Sequence, residues 1–199
     1  MSELQLPPTV EERDGRKALV VGGYIQSVAV AADHAWDVWD AFIPQHRCPW
    51  RVLILGAGGG TIATLLTQRC GPISITAIER DPLVVQLACE EFGLATMDNL
   101  TLIQADAFDW VSTCDQSFDL ICVDMYVAGD LAHGTLATPF LRQIATLLTP
   151  GGTAAFNLFR SKRLPEQIHR LSRVFTIDKR VEIGGNVVVH VHSQLASLD

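Results

Sequence analysis

Two kinds of apolar pattern alternate along the chain. In one, roughly four to eight apolar residues follow one another, which is typical of a strand buried on both faces of a sheet. In the other, apolar residues recur every three or four positions, which is typical of a helix that packs one side against a core. From residue 51 onward such mainly apolar runs predict five strands: Val52–Leu55, Ile73–Ile78, Leu100–Gln104, Phe118–Val123 and Thr153–Leu158.

Helices are predicted after most of these strands. Asp81-Pro82 supplies an N-cap and a proline at the first helical position, and Gly93 supplies a stop for the same helix. Because buried strands alternate with amphipathic helices, the sequence predicts an α/β protein with a doubly wound, mostly parallel sheet. The predicted helices are Thr61–Arg69, the segment between Asp81 and Gly93, Leu136–Leu148 and Pro165–Arg173.

Glycine pairs at both ends of the chain predict hairpins. Ala18–Val21 and Tyr24–Val30 flank Gly22-Gly23, and a short helix is predicted to follow over Asp33–Phe42. At the other end, Thr176–Ile183 and Val187–Val191 predict a closing hairpin that adds antiparallel strands to one sheet edge and brings the sheet to seven strands. We therefore expect a loose arm over residues 1–17, a hairpin and short helix over 18–46, and an α/β domain over 47–199.

Composition and charge narrow the function. The 199 residues carry a net charge of −7 with no block of basic residues, which disfavours nucleic-acid binding and leaves small-molecule substrates. No signal peptide and no apolar stretch long enough for a membrane span is seen. Five widely spaced cysteines without a Cys-x-x-Cys pair predict reduced thiols and a cytoplasmic protein.

A glycine-rich loop follows the first strand of the α/β part. It contains Gly56, Gly58 and Gly60 in a Gly-x-Gly-x-Gly arrangement, and such glycines let the backbone turn tightly and approach a ligand. A glycine loop alone is also compatible with a plain strand-to-helix turn. The dinucleotide fingerprint, Gly-x-Gly-x-x-Gly, is not matched, because Thr61 stands at its last position.

Acidic residues end the next three strands. Glu79 is placed to accept both hydroxyls of a ribose, and Asp106 to accept from an adenine amine while Ala107 offers a backbone N–H. Asp124 ends the fourth strand at the same edge. Each acid separately is also compatible with a helix start. Three together favour a nucleoside site.

These segments resemble the class I S-adenosylmethionine-dependent methyltransferases, and within them the spermidine/spermine synthase-like branch. The resemblance covers about residues 18–160 and implies a Rossmann-like fold. It is carried by Gly23-Tyr24-Ile25-Gln26, Val52–Thr61, Ile78-Glu79-Arg80-Asp81-Pro82-Leu83-Val84, Gln104-Ala105-Asp106-Ala107, Phe118–Asp124 and Leu148-Thr149-Pro150-Gly151-Gly152.

The resemblance also implies roles for individual residues. Gln26 would reach across the cofactor, and Arg80 belongs to the cofactor segment around Glu79. Asp124 would orient and deprotonate an attacking amine, with Tyr126 as a second catalytic candidate that lines the substrate or donates its hydroxyl. The implied cofactor is S-adenosylmethionine, its decarboxylated form or methylthioadenosine. The three glycines of the loop, Glu79, Asp106, Ala107 and Asp124 complete the implied cofactor site.

The sequence departs from the aminopropyltransferase pattern at the amine-binding end. Gly59 stands where the loop usually carries an acid, Asp37-Val38-Trp39 replaces Tyr-x-Glu, and Val127 replaces the second acid after Asp124. These losses favour methyl transfer slightly over aminopropyl transfer to a small molecule, such as an amine. A non-catalytic nucleoside-binding regulatory module remains the alternative from another class.

Two further expectations concern the surface. The closing hairpin and the predicted helix with Trp36 and Trp39 favour a homodimer. His190 and His192 share one face of a strand, where they are expected at the sheet edge rather than in a metal site, because no neighbouring ligand completes one.

Overall fold

The N-terminal part of the protein forms a small antiparallel sheet. A computed structural model describes residues 7–31, 37–45 and 47–194. Strands β1 (Thr9–Arg13), β2 (Arg16–Val21) and β3 (Tyr24–Val28) pair in that order, so the prediction of a hairpin here is confirmed. The prediction of a loose arm is wrong for Thr9–Arg13. This edge strand needs only backbone pairing with β2, and its charged residues gave no apolar signal.

A 3₁₀ helix, Val38–Phe42, follows this sheet. Asp37 caps it, and Asp40 closes a capping box by accepting from the N–H of Asp37. The residues before it, 32–36, lie outside the described residues, so the predicted helix is observed only in its second half. Trp36 is one of the residues outside the described ranges.

The main sheet has seven strands. Its order is β6-β5-β4-β7-β10-β12-β11, with β12 antiparallel to both of its neighbours and the rest parallel. The predicted fold class is therefore confirmed. In chain order the strands of this sheet and a two-strand ladder, β8-β9, are β4 (Arg51–Leu55), β5 (Ser74–Glu79), β6 (Leu100–Gln104), β7 (Phe118–Val123), β8 (Tyr126–Val127), β9 (Asp130–Leu131), β10 (Leu148–Phe159), β11 (Phe175–Ile183) and β12 (Asn186–Ser193).

Five α-helices lie among the described residues, and the pattern predicts four of them. The fifth, α3, spans about two turns and was missed, because a helix this short shows little apolar periodicity. A second 3₁₀ helix, Leu94–Thr96, follows α2. The α-helices are α1 (Thr61–Cys70), α2 (Pro82–Glu91), α3 (Ala107–Thr113), α4 (Thr138–Leu147) and α5 (Leu164–Ser172).

The sheet is buried on both faces. Along β4, Val52 and Ile54 pack with α1 and the first 3₁₀ helix, whereas Leu53 and Leu55 pack with α4 and the end of β10. This alternation follows from the period of two residues in a strand. Because β4 is packed on both faces, the loop that follows it starts from a rigid position.

A disulfide joins the segment before β4 to the end of α1. Cys48 and Cys70 are bonded, with their Cα atoms 5.3 Å apart, so the prediction that all cysteines are reduced is wrong. The spacing of 22 residues gave no signal, because only the return of α1 along β4 brings the two residues together. The cytoplasmic prediction rested in part on reduced thiols, and this bond removes that part of its support.

His190 lies inside the sheet rather than at its edge. Strand β12 runs between β10 and β11, and the Nε2 atom of His190 donates to the carbonyl oxygen of Ala41 at 2.7 Å. The expectation of an edge position is therefore wrong. Burial lowers the pKa of His190, so its ring is neutral.

Among the described residues, no helix combines the length and apolar character that crossing a bilayer requires.

Candidate active site

The cavity of the site opens at the carboxyl ends of β4 and β7. From β4 the chain moves outward through β5 and β6, and from β7 it moves the other way through β10. Such a reversal leaves a crevice between the two neighbouring strands, where α/β proteins bind ligands. A cavity of about 350 Å³ lies here, within the range of small-molecule sites.

The glycine loop forms one wall of this cavity. Gly56 (φ 87°) and Gly58 (φ 52°) adopt backbone conformations that favour glycine. A Cβ atom on Gly56 would collide with the backbone carbonyl of Asp124, and one on Gly58 would lie 2.6 Å from the hydroxyl of Ser27. Glycine at both positions therefore lets the loop lie directly against β7 and the N-terminal sheet.

The loop's own backbone donors point into the protein. The N–H of Gly58 donates to Glu79, that of Gly59 to the hydroxyl of Ser27 at 2.7 Å, and that of Gly60 to the carbonyl of Ala57. The N–H groups of Gly56 and Ala57 both donate to Ile78. The loop therefore offers a ligand its carbonyl groups and its shape rather than a nest of donors.

Glu79 links the glycine loop to the start of α2. Its Oε2 atom accepts from Gly58 at 3.1 Å, and its Oε1 atom accepts from the N–H groups of Arg80 and Asp81 at 2.9 and 3.1 Å. A carboxylate accepts about four hydrogen bonds. One acceptor position on Oε2 therefore remains for a hydroxyl group in the cavity.

Asp106 caps a helix and also faces the cavity. Its Oδ1 atom caps α3 by accepting from the N–H of Phe108 at 2.8 Å. The residue also lines the cavity, as does Ala107. The cap uses one oxygen, so the capping function leaves Oδ2 for a ligand.

Asp124 lies between the glycine loop and β10. Its N–H donates to the carbonyl of Leu55 at 2.9 Å, and its Oδ1 atom accepts from Nδ2 of Asn157 at 2.9 Å. Burial raises the pKa of Asp124 to about 6, against the lowering effect of side-chain hydrogen bonds from Asn157 and Trp39. At neutral pH the carboxylate is therefore ionised, but it takes up a proton far more readily than an exposed aspartate.

Tyr126 is held by the protein at its hydroxyl end. The hydroxyl donates to the backbone carbonyl of Asn157 at 2.9 Å, and the ring contacts Phe159. Burial raises the pKa of Tyr126, and the nearby charge of Asp124 adds to this. The hydroxyl is therefore not positioned as a free donor, and the ring serves as cavity wall.

The remaining wall is apolar and comes from outside the parallel strands. Beyond the two prolines before β1, the N-terminal sheet and the first 3₁₀ helix contribute Leu19, Val21 and Trp39, and the segment after β7 contributes Met125, Val127 and Ala128. Tyr24 packs on the β8–β9 turn at Gly129.

Nine of the ten predicted site residues line the cavity, and Gly60 does not. Gly60 (φ 80°) begins α1 and packs against Leu94, so its role is local. Three residues at the site were not predicted from the sequence. They are Ser27, Asn157 and Trp39, and the last of these lies beside Asp124. The nine are Gln26, Gly56, Gly58, Glu79, Arg80, Asp106, Ala107, Asp124 and Tyr126. Within the described ranges no cluster of three or more His, Cys, Asp or Glu side chains is arranged for a metal.

Nucleoside-binding α/β domains combine a doubly wound sheet, a glycine loop at its reversal point and acids after the next strands. This protein has the same arrangement. The family comparison specifies the class further. The methyltransferase-domain family matches residues 50–193, and the chain belongs to this family.

Curated relatives come from two kinds of transferase. The polyamine aminopropyltransferase 2 of Hyperthermus butylicus is 30% identical over 175 residues, which cover 81% of this chain and 57% of the relative. The eEF1A lysine and N-terminal methyltransferase homolog of Drosophila melanogaster is 31% identical over 144 residues, covering 66% of this chain and 21% of the relative. The chain thus spans less than two thirds of either relative.

Solved structures share the fold. A probable spermidine synthase from Corynebacterium glutamicum has a TM-score of 0.78 at 16% identity, covering 96% of this chain and 77% of that one. Human methyltransferase-like protein 13, in complex with SAH, has a TM-score of 0.64 at 23% identity, covering 75% of this chain and 74% of that one. The resemblance to a spermidine synthase-like member of the methyltransferase fold is confirmed.

Proposed function

We propose that the protein is a transferase that binds an S-adenosylmethionine-type nucleoside and directs its methyl group to a small amine. The observation that carries this proposal is the position of Asp124. It is an ionised acid with a raised pKa, beside the glycine loop and in the same cavity as Glu79 and Asp106.

The residues present fit an adenosyl group. Glu79 retains one acceptor position for a ribose hydroxyl, and Asp106 retains Oδ2 for the exocyclic amine of adenine. Ile78, Val84 and Phe108 line the cavity near these acids, so an aromatic base finds apolar contacts. Glycine at positions 56 and 58 lets the loop lie against Asp124 and Ser27, which holds this wall of the cavity in place.

The chemistry combines one displacement at carbon with one proton transfer. When bound, an S-adenosylmethionine-type sulfonium would supply an electrophilic methyl carbon for the nitrogen lone pair, with a neutral thioether as its leaving group. Asp124 accepts a hydrogen bond from the attacking amine and then takes its proton. The walls around it fix the direction of approach and exclude water, which is how a site accelerates an in-line displacement.

The apolar walls favour methyl transfer to an acceptor with a single amine. A diamine that carries a second positive charge needs a second acid, and Val127 stands where the aminopropyltransferase pattern has one. In this proposal Glu79 binds the ribose, Asp106 binds the adenine and Asp124 binds one amine. An acceptor with an apolar body fits beside Trp39 and Val127.

Aminopropyl transfer is the second candidate, and two observations favour it. The probable spermidine synthase structure covers 96% of the chain, against 75% for the methyltransferase structure. The N–H groups of Gly56–Gly60 are all used inside the protein, so the loop lacks donors for the carboxylate that distinguishes S-adenosylmethionine from its decarboxylated form.

Titration calorimetry tests nucleoside binding first. We expect S-adenosylmethionine to bind the wild-type protein, and Asp106→Asn to weaken binding about tenfold through the loss of one charged acceptor. Asp109→Asn is the matched control, because Asp109 is exposed on the same helix and does not line the cavity. Equal effects of the two variants, or no binding of any adenosyl compound, would contradict the proposal.

Product analysis then separates the two transfers. The protein is incubated with S-adenosylmethionine or its decarboxylated form and with single amines of increasing apolar size, with putrescine as the diamine. Mass spectrometry of the amine shows whether a methyl or an aminopropyl group was added. Aminopropyl-putrescine as the sole product would favour the second candidate, and binding without any transfer would contradict both.

A further inference from the structure

A buried amide stands in the centre of an apolar strand. Asn157 lies in β10 after Ala154, Ala155 and Phe156 and before Leu158, and 4% of its surface is exposed. A buried amide is costly unless its hydrogen-bonding groups are all satisfied. The hydrogen-bond partners of Asn157 therefore indicate its role.

The polar groups of Asn157 link three elements to the cavity. Its Nδ2 donates to Oδ1 of Asp124 at 2.9 Å, and its Oδ1 accepts from Nδ2 of Asn186 at 3.0 Å. Its backbone carbonyl accepts from the hydroxyl of Tyr126 at 2.9 Å. Asp124 follows β7, Tyr126 begins β8 and Asn186 begins β12, so Asn157 joins three separate segments and contacts the acid from the sheet side.

The direction of the amide follows from its neighbours. An ionised carboxylate only accepts, so the NH₂ group of Asn157 must face Asp124. Asn186 gives the oxygen of the same amide a donor and so disfavours the flipped orientation. Because Asn157 holds Oδ1 of Asp124, the carboxylate cannot rotate about its Cβ–Cγ bond without losing this hydrogen bond.

We propose that Asn157 is a positioning residue of the active site, whose amide, oriented by Asn186, holds the Asp124 carboxylate ionised and aimed at the cavity. The inference rests on the proposed function, in which Asp124 accepts the proton of the amine. Asn157 lies behind Asp124 and is absent from the cavity lining, so it acts through the acid. The hydrogen bond from Asn157 also lowers the pKa of Asp124, in the direction opposite to burial.

The test measures the acid itself as well as the reaction. In Asn157→Leu, ¹³C NMR of the Asp124 carboxyl should show titration at a pH about one unit higher, as expected for the loss of one hydrogen bond to the charged form. The low-pH limb of the transfer rate should move by the same amount. At pH 7 kcat should fall about tenfold, while the calorimetric affinity for the nucleoside stays unchanged.

Two further variants separate positioning from a loss of stability. Asn99→Leu removes a partly buried asparagine whose Nδ2 donates to Thr67 at 3.0 Å, on the far side of α1 from the site, and it should leave the titration of Asp124 unchanged. Asn186→Ala keeps the amide of Asn157 but removes the group that orients it. The titration of Asp124 should therefore shift in the same direction as in Asn157→Leu, but by less. Asn186→Ala also provides the test if Asn157→Leu does not fold.

The outcomes distinguish this inference from the proposed function. An unchanged Asp124 titration in both Asn157→Leu and Asn186→Ala, or an equal shift in Asn99→Leu, would overturn the role of Asn157. If wild-type protein transfers nothing to any amine, the proposed function fails, while the NMR titration still shows whether Asn157 holds the carboxylate.

Discussion

Two opposing effects act on the pKa of Asp124. Burial against the sheet disfavours its charge, and donors from β10 and the first 3₁₀ helix restore it. A base with a pKa of about 6 is ionised at neutral pH and still holds a proton well enough to accept one during a reaction. The whole environment of one residue thus serves to place its pKa just below neutral.

Replacing Asp124 by asparagine tests the base directly. We expect kcat to fall about 10²- to 10⁴-fold, the usual contribution of a positioned base, with nucleoside affinity nearly unchanged because Glu79 and Asp106 are intact. Asp115→Asn, on the exposed surface after α3, is the control and should behave as wild type. Loss of nucleoside binding in Asp124→Asn would show instead that this acid holds the cofactor.

The rate should depend on pH through the same group. Because burial raises the pKa of Asp124 to about 6, the base is mostly protonated below that pH and ionised above it. The transfer rate at saturating nucleoside should therefore rise as pH increases through about 6 and reach half its plateau there. Rate measurements between pH 5 and 8 check this, and a profile that is flat over the interval would exclude Asp124 as the base.

At the scale of elements, two segments are fastened by bonds that the main sheet does not supply. The hydroxyl of Thr61 donates to the carbonyl of Val28 at 2.8 Å and accepts from the N–H of Val28 at 2.9 Å, which joins β3 to α1. The Cys48–Cys70 disulfide joins the other end of α1 to the segment before β4. Helix α1 therefore anchors both sides of the segment that carries Trp39.

Removing the disulfide should lower stability without destroying the fold. Cross-linking a loop of this length contributes about 3 kcal/mol, so Cys48→Ser should lower the free energy of unfolding by about that amount in guanidinium titrations. Cys114→Ser, which removes a free thiol, is the control. A reductant should destabilise the wild type and the control but leave Cys48→Ser unchanged; equal sensitivity of all three would contradict the bond.

The elements differ in how far the sequence predicts them. Strands β6 and β7 were predicted with their observed bounds, because each is a short, mainly apolar segment between polar or turn-forming residues. Strand β1 was not, since a charged edge strand is recognised only by its partner. Likewise the acids at strand ends could be placed together, whereas Asn157 and Trp39 reach the site through the register of β10 and the docking of an N-terminal segment, which no local pattern encodes.

At the scale of the molecule, the site draws on both sheets. The parallel strands supply the acids, and the N-terminal sheet supplies Leu19, Val21 and Gln26. The matched family region begins at residue 50, so these three residues lie outside it. Part of the cavity wall therefore belongs to a stretch of the chain that the family match does not cover.

A ligand that contacts all of these parts should stabilise the molecule as a whole. Saturation with nucleoside at about 100 times its Kd contributes about 2.7 kcal/mol. For a protein of this size that raises Tm by roughly 5–10 °C, measurable by differential scanning calorimetry. Asp106→Asn should reduce the increase and Asp109→Asn should not; an unchanged Tm at saturation would argue against the cavity as the binding site.

The contact between His190 and Ala41 bears on the order in which the site is completed during synthesis. The 3₁₀ helix next to the site is held by the last strand of the sheet, although it leaves the ribosome some 150 residues earlier. Until β12 emerges, the segment with Trp39 packs on β4 and α1 without this hydrogen bond. The surroundings of Asp124, which include Trp39, are therefore completed only when the last strand of the main sheet has been made.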